Sequence, residues 1–327
     1  MSSSQEKQVL VSGIQATGRL HIGNYFGAMK QFVDLQDMYD AHIFVANYHS
    51  LTTVQDGALL RKQTRDVVLD YLAIGLDPQK VTLYTQTSIP ELFELTWIFN
   101  TLVTVPWLER AHAFKDKESK GIEPSVGLFD YPILQAADIV LPGAHVVPVG
   151  EDQRQHIEMT REIVRKCNAV YGTSFIEPQA LINDHVAVVP GIDGQKMSKS
   201  YNNTIPLFGT DQEITKAVMG IVTDSALPDE PKDPETNTIF KLYSLIASVD
   251  EIASMRQGFL KGGMGYGDAK KLLAQAIIQM VTPMRERRAY YEERPDLVDA
   301  ILQEGGARVR ERAGQVMADL RKKAGLV

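Results

Sequence analysis

Hydrophobic positions in the first 190 residues alternate between short continuous runs and longer stripes with helical spacing. The short runs, at residues 8–13, 42–47, 81–86 and 145–150, have the length and apolar composition of buried strands. The stripes between them are formed by Tyr25, Met29, Phe32 and Val33, by Leu60, Val67, Val68, Tyr71 and Leu72, and by Ile157, Val164, Cys167 and Tyr171. This alternation predicts an α/β fold in which helices cover both faces of a doubly wound parallel sheet.

Beyond residue 200 the pattern becomes helical throughout. Thr210 and Glu213 have the spacing of a capping box in front of an amphipathic helix. A proline-rich acidic segment separates this helix from further helical patterns at residues 239–248, 252–260, 268–293 and 307–326. We therefore predict three parts, an α/β domain at residues 1–190, a connecting loop at 191–203 and an all-helical domain at 204–327.

Composition narrows the class of protein without identifying it. The chain has 327 residues, of which 44% are hydrophobic and 23% charged, and this is the composition of a globular protein. Its one cysteine, Cys167, allows neither an intramolecular disulfide nor a zinc site built from cysteines. We find no signal-peptide pattern and no apolar run long enough to cross a bilayer, so we expect a cytoplasmic location and no membrane partner. A net charge of −7 argues against sequence-blind binding of nucleic acid, but a local basic surface could still bind RNA.

The segment after the first predicted strand, residues 12–28, has the features of a nucleotide-binding loop. Four glycines let its backbone turn tightly and approach a ligand, and the helix that begins near Asn24 directs free N–H groups at a phosphate. The segment matches neither the dinucleotide-binding nor the P-loop glycine pattern. A purely structural turn explains the glycines equally well, and a single histidine such as His21 is more often a packing residue.

Two short motifs together change this interpretation. The segment contains "HIGN" at residues 21–24, and "KMSKS" follows at residues 196–200. In this order and around a Rossmann-like pattern, they resemble the paired signatures of the class I aminoacyl-tRNA synthetases, whose first motif is usually "HIGH". Such enzymes join an amino acid to the α-phosphate of ATP, and mobile ammonium groups stabilise the charge that develops on the phosphates. The resemblance implies this catalytic role for Lys196 and Lys199; the alternative is a solvated basic loop.

Longer stretches resemble the tryptophanyl members of this class. They are residues 13–18, 113–119, 129–140 and 147–163. The resemblance implies that Asp138 accepts the indole N–H and that His49 and Gln153 hold the ammonium and carboxylate end of L-tryptophan. It further implies that the pocket for the indole ring is lined by Val11, Gln135, Val147 and Val149.

The same resemblance implies where ATP binds. The residues matched in the first loop and at the ribose are Gln15, Ala16, Thr17, Gly23 and Asn24, and Gly150, Glu151 and Asp152. Those of the second motif are Lys196, Met197, Ser198, Lys199 and Ser200, and Lys117 matches a lysine that reaches the phosphates. With Asn24, the three lysines form the implied catalytic set. Mg²⁺ is expected to enter with ATP on phosphate oxygens and water, without a metal site of the protein's own.

Two departures from the family pattern affect the pocket. Asn47 stands where a carboxylate is usual, and Gln135 stands where many members have methionine. Both make the pocket more neutral and polar than the family pattern, so they bear on its fine selectivity.

The basic clusters at residues 284–294 and 308–323 are predicted to read the tRNA(Trp) anticodon, although solvated helix faces with internal ion pairs are an equal alternative. The resemblance also implies a homodimer. Two rival functions stay open, a tyrosyl-tRNA synthetase and a tryptophan-binding paralogue that charges no tRNA.

Overall fold

The computed structural model describes residues 7–110, 125–182 and 188–327. Its five parallel strands are β1 Val9–Ile14, β2 Asp40–Val45, β3 Val81–Thr85, β4 Val146–Val149 and β5 Gln179–Ile182. They are ordered β3-β2-β1-β4-β5 across one sheet. The strand β5 was not predicted, because this short edge strand is only partly buried and its apolar run is only three residues long.

Helices connect the strands on both faces of the sheet, as predicted. In chain order they are α1 Ile22–Asn24, α2 Lys30–Leu35, α3 Asn47–Ser50, α4 Gly57–Ile74, α5 Glu91–Asn100, α6 Val105–Leu108, α7 Val126–Val140 and α8 Arg154–Tyr171. A π-helical turn, Tyr25–Met29, joins α1 to α2. Helix α4 begins where Asp56 accepts hydrogen bonds from the amides of Ala58 and Leu59, and it ends at Gly75 with φ of 108°.

Two cores lie on opposite faces of the sheet because successive strand residues point to opposite sides. Leu10 and Ile43 pack in the core that contains α4, whereas Val11, Phe44 and Tyr84 pack in the core formed with α5, α7 and α8. The α/β class with a doubly wound sheet is therefore confirmed.

The remaining helices are α9 Asp211–Met219, α10 Thr238–Tyr243, α11 Val249–Lys261, α12 Tyr266–Glu292 and α13 Pro295–Lys323. The capping box at the start of α9 is confirmed, since the Thr210 side chain accepts from the Glu213 amide and the Glu213 carboxylate accepts from the Thr210 amide at 2.7 Å. Within the described residues, no helix combines the length and the apolar character that crossing a membrane requires.

The helical part packs closely on the sheet. Ile205 and Ile277 belong to the same continuous core as Leu10. Arg288 on α12 donates to the buried carboxylate of Asp70 on α4 at 2.8 Å. The division of the chain at residues 190 and 204 stays a prediction.

Helix α13 begins twelve residues before the predicted start at residue 307, and it continues through two consecutive glycines, Gly305 and Gly306. Gly305 lies against the sheet edge, where a Cβ atom would overlap the carbonyl oxygen of Leu83 on β3. The glycines therefore allow the helix to cover an edge strand.

Candidate active site

The predicted site residues gather at the carboxyl edge of the sheet. Gln15 follows β1, His49 follows β2, and Gly150 follows β4. The strands β1 and β4 are neighbours, but the chain continues from β1 to helices on one face of the sheet and from β4 to a helix on the other face. Because the two connections diverge, a crevice opens beyond the ends of these strands, and α/β proteins bind their ligands at such a place.

Buried side chains hold the first loop in place. The amide of Ala16 donates to the Ser50 hydroxyl at 2.8 Å, and the amide of Ile14 donates to the Tyr71 hydroxyl at 2.9 Å. That hydroxyl in turn donates to the carbonyl oxygen of Phe44 at 3.0 Å. These hydrogen bonds fix the start of the loop through the protein's own side chains. Sequence reasoning assigned Tyr71 only to a core stripe and did not single out Ser50.

The "HIGN" segment is packed beneath the "KMSKS" segment. His21 is buried, and its amide donates to the side-chain oxygen of Asn24 at 3.1 Å. A Cβ atom on Gly23 would lie 2.9 Å from His21 Nδ1 and 3.1 Å from the Cβ of Met197. Burial, together with the nearby positive charge of Lys199, lowers the pKa of His21 to about 4. His21 is consequently a neutral imidazole at pH 7.

Lys199 connects the two motifs directly. Its ammonium group donates to the carbonyl oxygen of Thr17 and, at 3.1 Å, to that of Gly18. Lys199 as a whole is an exposed residue, but the contact of its ammonium group with the loop partly removes that group from water, and this burial lowers the pKa of Lys199. The two predicted ATP-binding segments are therefore in contact.

The rest of the second motif is shaped by its own hydrogen bonds. The Ser198 amide donates to the Asn203 side chain at 2.8 Å, and the amide of Ser200 donates to the Ser198 hydroxyl. Asn203 also donates to the backbone of Lys196 at 3.1 Å. Sequence reasoning did not identify Asn203, which fixes the conformation of this loop.

A cavity of about 470 Å³ opens between the first loop and helix α7. Its wall includes five of the predicted site residues, namely Gln15, His49, Gln135, Asp138 and Gln153. Tyr131, which was not predicted, also lines it and is hydrogen-bonded to His156. Val11 and Val147 lie in the adjoining core, against which the half-buried Val149 packs.

Asp138 is the buried charge of this cavity. His49 Nε2 lies 3.0 Å from its Oδ2, and the Gln86 amide lies 3.0 Å and 2.8 Å from its two oxygens. Burial raises the pKa of Asp138, while the hydrogen bonds from His49 and Gln86 oppose that rise. His49, which was predicted to hold the ammonium and carboxylate end of a substrate, is therefore also a hydrogen-bond partner of Asp138.

Comparison with known proteins agrees with this geometry. A family model described as class I tRNA synthetases (W and Y) matches residues 3–282. A tryptophan–tRNA ligase of Fusobacterium nucleatum is 49% identical over 97% of this chain and 98% of its own, and one of Rhodopirellula baltica is 46% identical over 97% and 99%.

The chain belongs to the class I tRNA synthetases of the tryptophan and tyrosine group. A crystal structure of tryptophanyl-tRNA synthetase from Campylobacter jejuni, complexed with ADP and tryptophan, superimposes with a TM-score of 0.91. It is 41% identical and covers 97% of this chain and 100% of its own. The Rossmann-like architecture expected of a class I synthetase is therefore confirmed.

Some site residues expected of this synthetase family have other surroundings or are not described. Lys117 lies outside the described residues, and so does the side chain of Asp152. Glu151 is exposed and paired with Arg154 at 2.7 Å, and that hydrogen bond lowers its pKa. The ribose contact proposed for Glu151 therefore requires that it share its carboxylate with Arg154.

Proposed function

We propose that the protein is a tryptophan–tRNA ligase. It joins L-tryptophan to ATP to form tryptophanyl-adenylate and pyrophosphate, and then transfers the tryptophanyl group to the terminal ribose of tRNA(Trp). The observation that carries this proposal is the buried carboxylate of Asp138 in the wall of a cavity beside the first loop. The relatives named tryptophan–tRNA ligase support the choice of substrate.

Asp138 distinguishes tryptophan from other aromatic amino acids by hydrogen bonding. An indole N–H can donate to it, whereas a phenyl ring in the same place would leave a buried acceptor unpaired. A tyrosine hydroxyl extends from the far end of its ring, so it reaches a different point of the cavity. We assign the ammonium and carboxylate end of the substrate to Gln153 and His49, with Gln135 beside the ring.

ATP is proposed to bind across the first loop and the "KMSKS" segment. The ADP complex of the Campylobacter jejuni synthetase supports the nucleotide site. The attacking carboxylate of tryptophan is ionised at pH 7, so the enzyme needs no general base for this step. It attacks the α-phosphorus while the bond to pyrophosphate breaks, and negative charge grows on the phosphate oxygens.

Lys199 and Lys196 are assigned to that developing charge. Lys199 leaves the carbonyl oxygens of Thr17 and Gly18 when phosphate oxygens offer stronger, ionised acceptors. Among the described residues, no group of three acidic, histidine or cysteine side chains is arranged to hold a metal ion. Mg²⁺ dehydrates reluctantly, so it is proposed to arrive with ATP on phosphate oxygens and water, where it would supply further positive charge.

The helical part is proposed to bind the tRNA anticodon, and the enzyme is proposed to act in the cytoplasm. Tyr290 on α12 is half exposed, and the Arg294 guanidinium lies 4.0 Å from the centre of its ring. Such an exposed aromatic and cationic pair can stack on an unpaired base.

A second copy of the chain is the proposed partner of exposed apolar side chains on and near α5. Trp97 on α5 is 71% exposed, and Phe93, one turn earlier, packs its ring on Tyr48. Leu51, Val105 and Val126 are also exposed large apolar residues. A homodimer that covers this surface removes it from water.

Asp138→Asn tests the proposal, with Asp130→Asn on the same helix as its matched control. Asp130 is half-buried and bonded by Asn100, but it does not line this cavity. We expect kcat/KM for tryptophan in ATP–pyrophosphate exchange to fall by about a hundredfold for Asp138→Asn and to change little for Asp130→Asn. Equal rates for Asp138→Asn and wild type would contradict the assignment, and a folded wild type inert with every amino acid would favour the non-charging paralogue.

A further inference from the structure

Gln86 is a fully buried polar residue that the proposed mechanism does not use. It stands directly after β3, where the chain turns at the carboxyl edge of the sheet. Strand residues before it fill the core, as Tyr84 does. Because Gln86 is completely buried, we expect both the oxygen and the nitrogen of its side-chain amide to be hydrogen-bonded.

Both ends are satisfied, and each one contacts the tryptophan site. The side-chain oxygen of Gln86 accepts from the amide of Tyr48 at 2.9 Å and from that of His49 at 3.3 Å. These are backbone N–H groups in the first turn of α3, which have no partner within the helix. The side-chain nitrogen lies 3.0 Å and 2.8 Å from the two oxygens of Asp138.

The orientation of this amide follows from chemistry. Backbone N–H groups only donate, so the end of Gln86 that faces them must be its oxygen. The nitrogen is then left for Asp138, which as a carboxylate only accepts. One side chain thus fixes the carboxylate that faces the cavity and the helix that carries His49, the second donor to that carboxylate.

We propose that Gln86 is a positioning residue for tryptophan selectivity, because it orients Asp138 and α3 so that the carboxylate keeps one acceptor site directed at the indole N–H. This inference rests on the proposed function. A carboxylate offers about four acceptor sites, and Gln86 and His49 occupy three here. The remaining site has a defined direction only while both partners stay in place.

Gln86→Leu removes the hydrogen bonds to α3 and those to Asp138, and it keeps a side chain of similar volume. The matched control is Gln36→Leu, because Gln36 is also buried and also bridges two backbone groups, the Gly75 carbonyl and the Asp77 amide, but lies away from the cavity. The rates to compare are ATP–pyrophosphate exchange with tryptophan and with β-(3-benzothienyl)alanine, in which sulfur replaces the N–H group.

For Gln86→Leu we expect KM for tryptophan to rise by about tenfold or more, with KM for ATP nearly unchanged. The preference for tryptophan over the sulfur analogue should fall by a similar factor. Gln36→Leu should keep the wild-type preference even where it loses stability. A Gln86→Leu enzyme with wild-type preference overturns the inference and leaves the proposed function intact, whereas a wild type without tryptophan-dependent exchange overturns both.

Gln86→Glu provides a second test if the leucine variant does not fold. The titratable groups packed around Asp138 are His49 on α3, Tyr84 on β3 and, against the His49 ring, Tyr131 on α7. The new carboxyl can donate to Asp138 only while it is protonated, and two carboxylates repel once both ionise. We therefore expect KM for tryptophan to increase with rising pH in this variant. A pH profile that parallels the wild type would overturn the inference.

Discussion

Lys199 donates a hydrogen bond of 3.1 Å to the carbonyl oxygen of Gly18, although 181 residues separate the two in the chain. The contact joins the loop after the first strand to the segment that connects the sheet to the helical part. In this state the lysine is held by backbone carbonyls, which are weaker acceptors than phosphate oxygens. The arrangement therefore keeps the charge beside the proposed phosphate site without fixing it there.

Replacing Lys199 should affect catalysis more than stability. We expect Lys199→Ala to lower the rate of adenylate formation by on the order of a hundredfold or more, the scale for losing one charge-stabilising donor. The measurement is single-turnover adenylate formation, with the Tm recorded beside it. Rates within about twofold of wild type would contradict the assigned role.

Gly23 tests the packing between the two motifs. A Cβ atom there would press on His21 and Met197, whereas one on Gly27, in the π-helical turn, meets nothing within 4 Å. Because displaced catalytic groups lose rate steeply, Gly23→Ala should reduce adenylate formation by roughly tenfold to a hundredfold. Gly27→Ala should stay close to wild type in the same assay, and equal effects of the two changes would exclude a specific contact.

Gly305 tests the packing of α13 on the sheet edge. Gly305→Ala brings a methyl group into the Leu83 carbonyl, and we expect it to destabilise the fold by about 2 kcal/mol. Gly314→Ala on the same helix has open space around it and should stabilise the helix by up to ~1 kcal/mol. The measurement is the thermal unfolding of both variants. A Gly305→Ala protein as stable as the wild type would argue against the close approach of Gly305 to Leu83.

The lowered pKa of His21 makes stability depend on pH. Its pKa is about 4 in the folded protein and ordinary, near 6.5, in the unfolded chain, so the unfolded chain binds more protons between these values. Stability should therefore fall as the pH drops from about 6.5 to 4. His21→Asn removes this contribution, so the wild type should lose on the order of 1 kcal/mol relative to the variant between pH 7 and pH 5 in urea unfolding. A constant difference would contradict the neutral, buried imidazole.

The sequence predicted the parts of the fold that local pattern determines. Buried runs such as β1 and capping signals such as Thr210 with Glu213 depend on neighbouring residues only, and the structure has both. The start of α13 was missed because glycines at 305 and 306 normally end a helix, whereas here the packing against Leu83 requires them.

The candidate site was predictable where a motif carries it. Asp138, Lys199 and Gln15 belong to recognisable stretches, and the structure brings them to one edge of the sheet. Gln86 was not predicted, because its function depends on where β3 ends relative to α3 and α7, which are distant in sequence. A polar residue at the carboxyl end of a predicted buried strand was the only available signal.

The most direct test of the whole account is ATP–pyrophosphate exchange on the purified protein, without tRNA, with tryptophan and tyrosine in parallel. A tryptophan–tRNA ligase should show exchange that depends on tryptophan and not on tyrosine. Exchange with tyrosine alone would overturn the substrate while keeping the chemistry of the signature loops. Exchange with neither amino acid, in a folded protein, would contradict the catalytic function itself.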